Sequence, residues 1–438
     1  MNTIQSIDAV VLAGTHRNPK RLVLNRNKSF LPINGKPVIQ YVIEALAATP
    51  LVKHIAVVGP QDSLQDELSG CTAPFIPVPD RGSFLQNAWV GYEALVTREA
   101  NWPDLNAVRA LLGGSLPPFK PFTPVDDKHQ LVAAMALAMI RDDAMGMPLY
   151  RLERLVDDYF ITKRRHGYRY SSQRQEEMIA SLLEDQRIFT RRDTELLFNH
   201  ELLRTYFAEL GKQLDKKVLF LTGDIPLLIP EAVQDFILRC APFTQDFYFG
   251  MSERRDLRPY YPTNKRRGIR RPYVQFHEYC ARAANINLIR PKKIGNVLII
   301  QQGFNIRKLK EWRNVMKLMT ILYKVQGGLR SVWYVALFQA ATVLSRHGWE
   351  RMARQVRRFL PLYKVEALAT RILQADFTCI RSPYGGISLD IDNQNDYDII
   401  IEHFDVWMAH QHQIAKRLGT NLDGGVPAAA TIRHDPED

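Results

Sequence analysis

The sequence predicts an α/β protein: a mostly parallel mixed sheet flanked by helices, with a large helical insertion. Three observations predict it. Short apolar runs alternate with amphipathic segments over residues 1–96, the pattern of strands joined by helical crossovers. The alternation returns at residue 217, after a stretch (97–216) in which strand signals fade. Turns carrying Gly, Asp and Lys follow the apolar runs, where an open α/β sheet binds its ligands.

Ala9-Val10-Val11-Leu12 reads as the first strand. A loop with Gly14 and the cations Arg17, Lys20, Arg21, Arg26 and Lys28 follows, then Leu31-Pro32-Ile33-Asn34-Gly35-Lys36-Pro37 and a helix over Val38–Ala48. Strand, glycine loop, cations and helix together suit a polyphosphate. Glycine lets backbone N–H groups approach, and the cations offset charge. Strands are expected at His54–Val58 and Phe75–Val78, and a helix over Ser83–Leu95 after the turn at Gly82-Ser83. In the insertion, segments 131–140, 149–159, 175–183 and 194–210 read as helical, after a proline-rich loop at 113–124.

The α/β pattern resumes with a strand at Val218–Leu221, the turn Gly223-Asp224-Ile225-Pro226, and a helix over Pro230–Leu238. Phe247–Met251 reads as a strand, 253–272 as an exposed basic loop, and Tyr273–His277 and Asn285–Ile289 as extended. Arg307–Tyr323 and Arg330–Phe359 read as helical, Thr378–Arg381 as a late strand, and Asp396–Leu418 as the terminal helix. This gives an α/β domain of residues 1–96 and 217–418, the helical insertion 97–216, a helical subregion 315–375 within the core, and a flexible tail 419–438.

With 438 residues, 46% hydrophobic and 24% charged, the composition excludes collagenous and wholly disordered classes. The formal net charge of +12 favours an anionic partner. Basic clusters such as Lys163-Arg164-Arg165, Lys265-Arg266-Arg267, Arg270-Arg271 and Arg351–Arg358 read first as solvated surface. Cys71, Cys240, Cys280 and Cys379 lie too far apart for a paired metal or disulfide framework and read as reduced thiols. No secretory leader is read at the start. The run Ser331–Leu344 is short for a bilayer span and fits a buried or interfacial helix. The expected location is cytoplasmic, with residues 315–362 offering peripheral contact to the inner face of a membrane.

Asp224 follows an apolar strand directly, and a carboxylate there suits Mg²⁺. Capping the helix that starts near Pro230 is the equal alternative. Asp390 and Asp392 alternate with apolar residues and share a face if extended, while Asn393 has the spacing of an N-cap to Asp396. Lys28 is placed either to meet phosphates or to be a solvated loop lysine.

These pieces resemble the MobA-like NTP transferase superfamily, nucleotidyltransferases of GT-A-type fold. The resemblance is carried by Leu12-Ala13-Gly14-Thr15, Arg21-Leu22, Lys28-Ser29-Phe30-Leu31-Pro32, Gly35-Lys36-Pro37, the Gly82-Ser83 turn with Asn87, Val218–Leu227, and Leu389–Tyr397. Thr15 stands where the family has a second glycine, and the loop before Lys28 is longer than in compact members. The resemblance implies attack by a phosphorylated sugar or alcohol on the α-phosphorus of an NTP, with release of pyrophosphate. It makes Lys28, Arg21 and Asp224 the catalytic residues. Leu12, Ala13, Gly14, Thr15, Lys28, Gly82, Ser83 and Asn87 would bind nucleotide, and Asp224 and Asp392 would hold Mg²⁺. Asp390 and Asn285 are secondary candidates. The alternatives are a GT-A glycosyltransferase consuming a nucleotide sugar and a non-catalytic nucleotide-binding protein. Nucleic acid is not favoured as a partner.

Overall fold

The computed structural model describes residues 6–14, 23–80, 84–99, 216–294, 328–420 and 422. The chain divides into two compact units, Met1–Leu95 with Lys217–Asp438, and Val96–Lys216. The helices expected at 131–210 and Arg307–Tyr323 lie outside the described residues.

The first unit is built on a strand that is apolar after Asp8, which pairs with His54 at 3.0 Å. β1 (Ile7–Leu12) is buried along nearly its whole length, with Ala9, Val10 and Val11 fully enclosed. A run that is apolar on both faces belongs in the middle of a parallel sheet covered by helices on each side. On one edge β1 pairs in parallel with β4 (Val52–Gly59), which in turn pairs with β5 (Ile76–Pro79). On the other it pairs in parallel with β6 (Val218–Thr222), in the register Leu12 to Thr222. Beyond β6 come β9 (Cys280–Ile289), β7 (Phe247–Glu253) and β10 (Phe377–Ser382), so the order is β5-β4-β1-β6-β9-β7-β10. Only β9 in this order runs antiparallel to its neighbours, and the short β8 (Val274–Gln275) pairs with its beginning. β2 (Pro32–Ile33) and β3 (Lys36–Pro37) form a separate two-stranded ribbon. The early connections build to one side of β1 and the later ones to the other. The boundary between β1 and β6 is therefore the switch point at which an open sheet leaves a ligand crevice.

Helix α1 (Val38–Ala47) places Ile39, Val42, Ile43 and Leu46 on one face of the sheet, beside Phe236 and Ile237 of the helix Pro230–Arg239. The short α2 (Gln61–Asp66) and α3 (Phe84–Glu99) complete the N-terminal part. The C-terminal helix (Gln394–Leu418) adds Ile414 and Ala415 to the same core. Its other face closes a second cluster with Leu31, Ile33, Tyr260, Ile391 and Trp407.

Several expectations need correction. Residues 253–272 are not simply an exposed loop: they contain a helical turn (Arg254–Leu257) and a 3₁₀ turn (Arg258–Tyr260), pinned by buried Leu257, Tyr260 and Ile269. Three apolar anchors outweigh the Arg/Pro-rich composition around them. Arg330–Phe359 is two helices, Gly328–Arg346 and Glu350–Arg357, broken at Gly348, whose φ of +78° favours glycine. A third helix, Leu362–Leu373, follows them within the span 315–375 read as helical. Leu337 and Ala341 of the first are buried, and Phe338 meets Phe276 edge-on at 5.8 Å, so this subregion packs on the β8–β9 edge.

Candidate active site

The end of β1 is shaped by one absent side chain. A Cβ on Gly14 would collide with the amide of Asn87, a buried residue of α3, and would come within 3.7 Å of Asp80 Oδ2. Glycine lets α3 close over the strand end and leaves the backbone at Leu12-Ala13-Gly14 bare of side-chain bulk on that side. Ala13 N–H donates to Val58 O at 2.7 Å, continuing the β1–β4 ladder one residue past the strand.

Lys28 is positioned by its neighbours. Asn27 donates its side-chain N–H to Ala13 O at 2.7 Å and accepts from Ser29 N–H at 3.1 Å, capping the 3₁₀ turn Lys28–Phe30. Ser29 and Phe30 are buried beneath this turn. Gly223 admits Ser29 closely: a Cβ at Gly223 would lie 3.0 Å from Ser29 Oγ. Gly223 N–H also donates to Leu12 O at 2.9 Å, tying the ends of β1 and β6 together. Lys28 thus stands over the switch point on a fixed turn, and the solvated-loop alternative does not describe it.

Asp224 comes next in the chain. Its Oδ1 is buried and accepts no hydrogen bond. Burial pushes its pKa up to about 6, with Asp390 and Asp392 adding to the rise; the Thr222 hydroxyl and Lys28 oppose it. Its carbonyl accepts from Ile391 N–H at 3.1 Å, which brings the Leu389–Asp392 segment against the end of β6. No intrahelical role is found for its side chain, since the helix Pro230–Arg239 is capped at Ile229 without a side-chain bond.

Asp390 and Asp392 do not share an extended face, because Leu389–Asp392 is irregular between the 3₁₀ turn Gly385–Ser388 and the C-terminal helix. Asp390 is buried and paired with Arg282 at 2.8 Å. Asp392 is half-exposed, 3.0 Å from Arg271 Nη1 and 3.5 Å from Lys28 Nζ. Asn393 is the expected N-cap, accepting from Asp396 N–H at 3.0 Å, and its amide donates back to Asp396 Oδ2 at 2.9 Å. Asp392 N–H donates to the same oxygen at 3.1 Å, so the cap also sets the position of Asp392.

Arg271 and Arg282 carry functions that their surroundings in sequence conceal. Arg271 donates to Asp390 O and Asp396 Oδ2 at 2.6 and 2.7 Å and pairs with Asp392; its side chain is 10% exposed, so it is no surface cation. The three aspartates push its pKa up against its burial, and it stays charged. Asn285 lies one step beyond the Leu221–Ile286 pair, next to Thr222, and its amide nitrogen is buried without a partner. Arg21, Thr15, Gly82 and Ser83 lie outside the described residues.

The structure therefore brings together Gly14, Asn87, Lys28, Asp224 and Asp392 at one end of the sheet. Among the described residues no group of three His, Cys, Asp or Glu side chains is arranged to hold a metal. The chemistry of one donor nonetheless fits: a buried carboxylate oxygen with no donor, beside two further carboxylates, is suited to a hard divalent cation. Asp392, which is half-exposed, is the second candidate, provided that its contact with Lys28 is exchanged.

Comparison with solved structures finds a hypothetical transferase from Thermus thermophilus at 17% identity and a TM-score of 0.44, covering 90% of this chain and 99% of that one. A 4-diphosphocytidyl-2C-methyl-D-erythritol synthase from Anaerococcus prevotii matches at 8% identity and a TM-score of 0.34, covering 92% and 100%. A CMP:2-keto-3-deoxy-manno-octonic acid synthetase complexed with CTP matches at 10% and 0.29, covering 94% and 100%. No curated protein sequence matches the chain. Residues 9–90, from β1 into the first half of α3, match the family model of the MobA-like NTP transferase domain.

Proposed function

We propose that the chain is a Mg²⁺-dependent nucleotidyltransferase that moves a nucleoside monophosphate from an NTP to a phosphorylated sugar or alcohol. The observation that carries this reading is Asp224: a carboxylate with one buried, unpartnered oxygen at the switch point, near Lys28, in a chain whose first strand and glycine loop match an NTP transferase domain. An oxygen of the acceptor phosphate forms a bond to the α-phosphorus. The bond from that phosphorus to the bridging oxygen breaks, and its electron pair leaves with pyrophosphate. The acceptor oxygen is already anionic, so no base has to remove a proton.

The residues divide the work of holding charge. The backbone at Ala13-Gly14, with Thr15 and Arg21, receives the triphosphate; Gly82, Ser83 and Asn87 flank the base. Lys28 offsets the charge that builds on the phosphate oxygens. Asp224 and Asp392 hold Mg²⁺, which when bound neutralises phosphate charge and aligns the displaced groups. Against the glycosyltransferase alternative stands Asp390, whose carboxylate is committed to Arg282, leaving only one member of the Asp-x-Asp pair facing the crevice. The test is pyrophosphate release from each of the four NTPs, with Mg²⁺ and a panel of phosphorylated sugars and polyols. Lys28→Met should lower kcat by on the order of a hundredfold. Nucleotide binding with no release from any acceptor would instead mark a non-catalytic binding protein.

The same reading extends to a membrane contact. Trp333, Trp349, Met352, Phe359 and Tyr363 are each more than half exposed, and Arg351, Arg354 and Arg358 lie exposed among them. Aromatic residues interspersed with cations are the surface that settles on an anionic bilayer. Among the described residues no helix is long and apolar enough to cross one.

A further inference from the structure

Next to the candidate site, and separated from it by one guanidinium group, lies a cavity of about 300 Å³ lined by Arg254, Arg270, Arg271, Tyr273 and Gln275, with Ser345 and Thr342 of the helix Gly328–Arg346 on its far wall. We infer that this cavity binds the phosphate-bearing acceptor, a phosphomonoester of a small polyol or sugar. The assignment rests on the nucleotidyltransferase reading for its role, but the binding site itself does not.

Its charge is the first reason. Three arginines border the cavity and Glu350 is its one acidic lining residue, already accepting from Ser345 Oγ at 2.8 Å. Arg271 is paired with aspartates on its other side. Arg254 and Arg270 have no carboxylate partner among the described residues; Arg270 instead lies over the Tyr261 ring at 5.9 Å. Two uncompensated guanidinium groups beside one cavity form an anion site, and guanidinium geometry matches phosphate.

Unspent hydrogen-bonding capacity is the second. Arg254 Nε, Arg271 Nε, the Tyr273 hydroxyl and Gln275 Oε1 are buried with no partner. Buried polar groups are rarely left unpaired in a finished protein, and these four belong to residues that line a single cavity, so a small shift of their side chains would offer them to a ligand there. The set is mixed: guanidinium N–H donors for phosphate oxygens, a phenol that donates or accepts, and an amide oxygen that accepts from a hydroxyl. Such a mixture suits a molecule with both phosphate and hydroxyl groups. The volume is at the small end of ligand pockets, which fits a compact polyol or sugar phosphate and excludes a polynucleotide.

Arg271 gives the location its meaning. Its Nη atoms contact Asp392 and Asp396 and the Asp390 carbonyl, and the same side chain lines the cavity. An acceptor held by Arg254 and Arg270 would lie against the group that positions Asp392.

The test uses the full chain. Inorganic phosphate and glycerol 3-phosphate are titrated calorimetrically into wild type, Arg254→Gln, Arg270→Gln, the double variant, and the milder Tyr273→Phe. The wild type should bind both ligands saturably at millimolar concentration. Each single arginine variant should weaken binding about tenfold or more, and the double variant should abolish it, with NTP affinity preserved. Absence of phosphate binding by wild type, or unchanged affinity in a folded double variant, overturns the assignment. Pyrophosphate release is then measured with glycerol 3-phosphate and glucose 1-phosphate, and with vesicles containing phosphatidic acid; whichever arm responds shows whether the phosphomonoester is soluble or lipid-borne, and its KM should rise in the arginine variants while KM for NTP holds. Release by wild type with acceptor KM unmoved in the variants would sink the cavity and spare the nucleotidyltransferase reading. Phosphate binding that depends on Arg254 and Arg270, without release from any acceptor, would do the reverse.

Discussion

Replacing Asp224 by Asn should make the protein more stable and inactive. The carboxylate is held by the fold in a place that disfavours its charge: burial and the charges of Asp390 and Asp392 raise its pKa from 3.8 to about 6, despite Lys28 and Thr222. A raised folded-state pKa means that the protonated form is the one the fold favours. Its contribution to stability is intact below the unfolded pKa and is lost as pH climbs through the folded one. A rise of that size corresponds to about 3 kcal/mol carried as a penalty at pH 7 and above. At pH 4.5 the acid is still largely protonated in the folded state, and the penalty is about 1 kcal/mol.

An uncharged amide at position 224 removes the pH dependence. The stability advantage of Asp224→Asn over wild type should therefore grow by about 2 kcal/mol between pH 4.5 and pH 7, then level off. Thermal melts of the two proteins across that range measure it, with a widening gap of a few degrees expected. Added Mg²⁺ with an NTP should stabilise the wild type more than the variant, because the amide takes away one of the two carboxylates proposed to hold the cation. A difference that stays flat with pH, or a variant less stable than wild type at pH 7, would refute the account of Asp224 as a strained carboxylate kept for its ligand.

Other consequences can be checked as directly. Gly14→Ala drives a methyl group into the Asn87 amide, so α3 must shift or the backbone retreat; NTP affinity should fall by about tenfold or more in a nucleotide titration, while the melt moves little. Arg282→Met takes from buried Asp390 its 2.8 Å ion pair, and should cost about 3–5 kcal/mol in denaturant unfolding. If Phe359 and Trp349 seat on a bilayer, their replacement by Ser should abolish co-sedimentation with vesicles rich in phosphatidylglycerol, a loss to be compared with vesicles of neutral phosphatidylcholine; binding equal on both lipids, or unchanged in the variant, would remove the membrane contact.

The centre of the sheet is legible in the sequence because β1, β6 and most of β4 are buried on both faces. Such strands print themselves as continuous apolar runs, and the expected segments at Ala9, His54, Phe75, Val218, Phe247 and Thr378 each coincide with an observed strand. β9 is legible only in its second half. Cys280-Ala281-Arg282-Ala283-Ala284 carries one buried arginine among small residues, and small side chains give a weak strand signal even where the backbone is fully paired. The same stretch hides Arg282, whose partner Asp390 lies 108 residues away, and Arg271 reaches the Asp390 carbonyl across 119 residues. No local pattern records a pair at such separation. What a sequence does record of an arginine is its type, and arginines are mostly exposed, so Arg271 reads as surface and nothing singles out Arg282.

Those two arginines decide what the aspartates can do. Arg282 neutralises Asp390, and Arg271 and Lys28 share Asp392, with Asp396 drawing on Arg271 as well. Four carboxylates, counting Asp224, thus face three cations, and Asp224 is the one with no cation within ion-pair distance among the described residues. A triphosphate arriving alone would add negative charge to a cluster already short of positive charge. Under the proposed function, a cation accompanying it would remove both deficits at once, with Asp224 Oδ1 as its ligand. Nucleotide and Mg²⁺ affinity are then coupled through Asp224: Mg²⁺ should tighten NTP binding strongly in the wild type and only weakly in Asp224→Asn, and equal Mg²⁺ dependence in both proteins would show that the cation is held elsewhere.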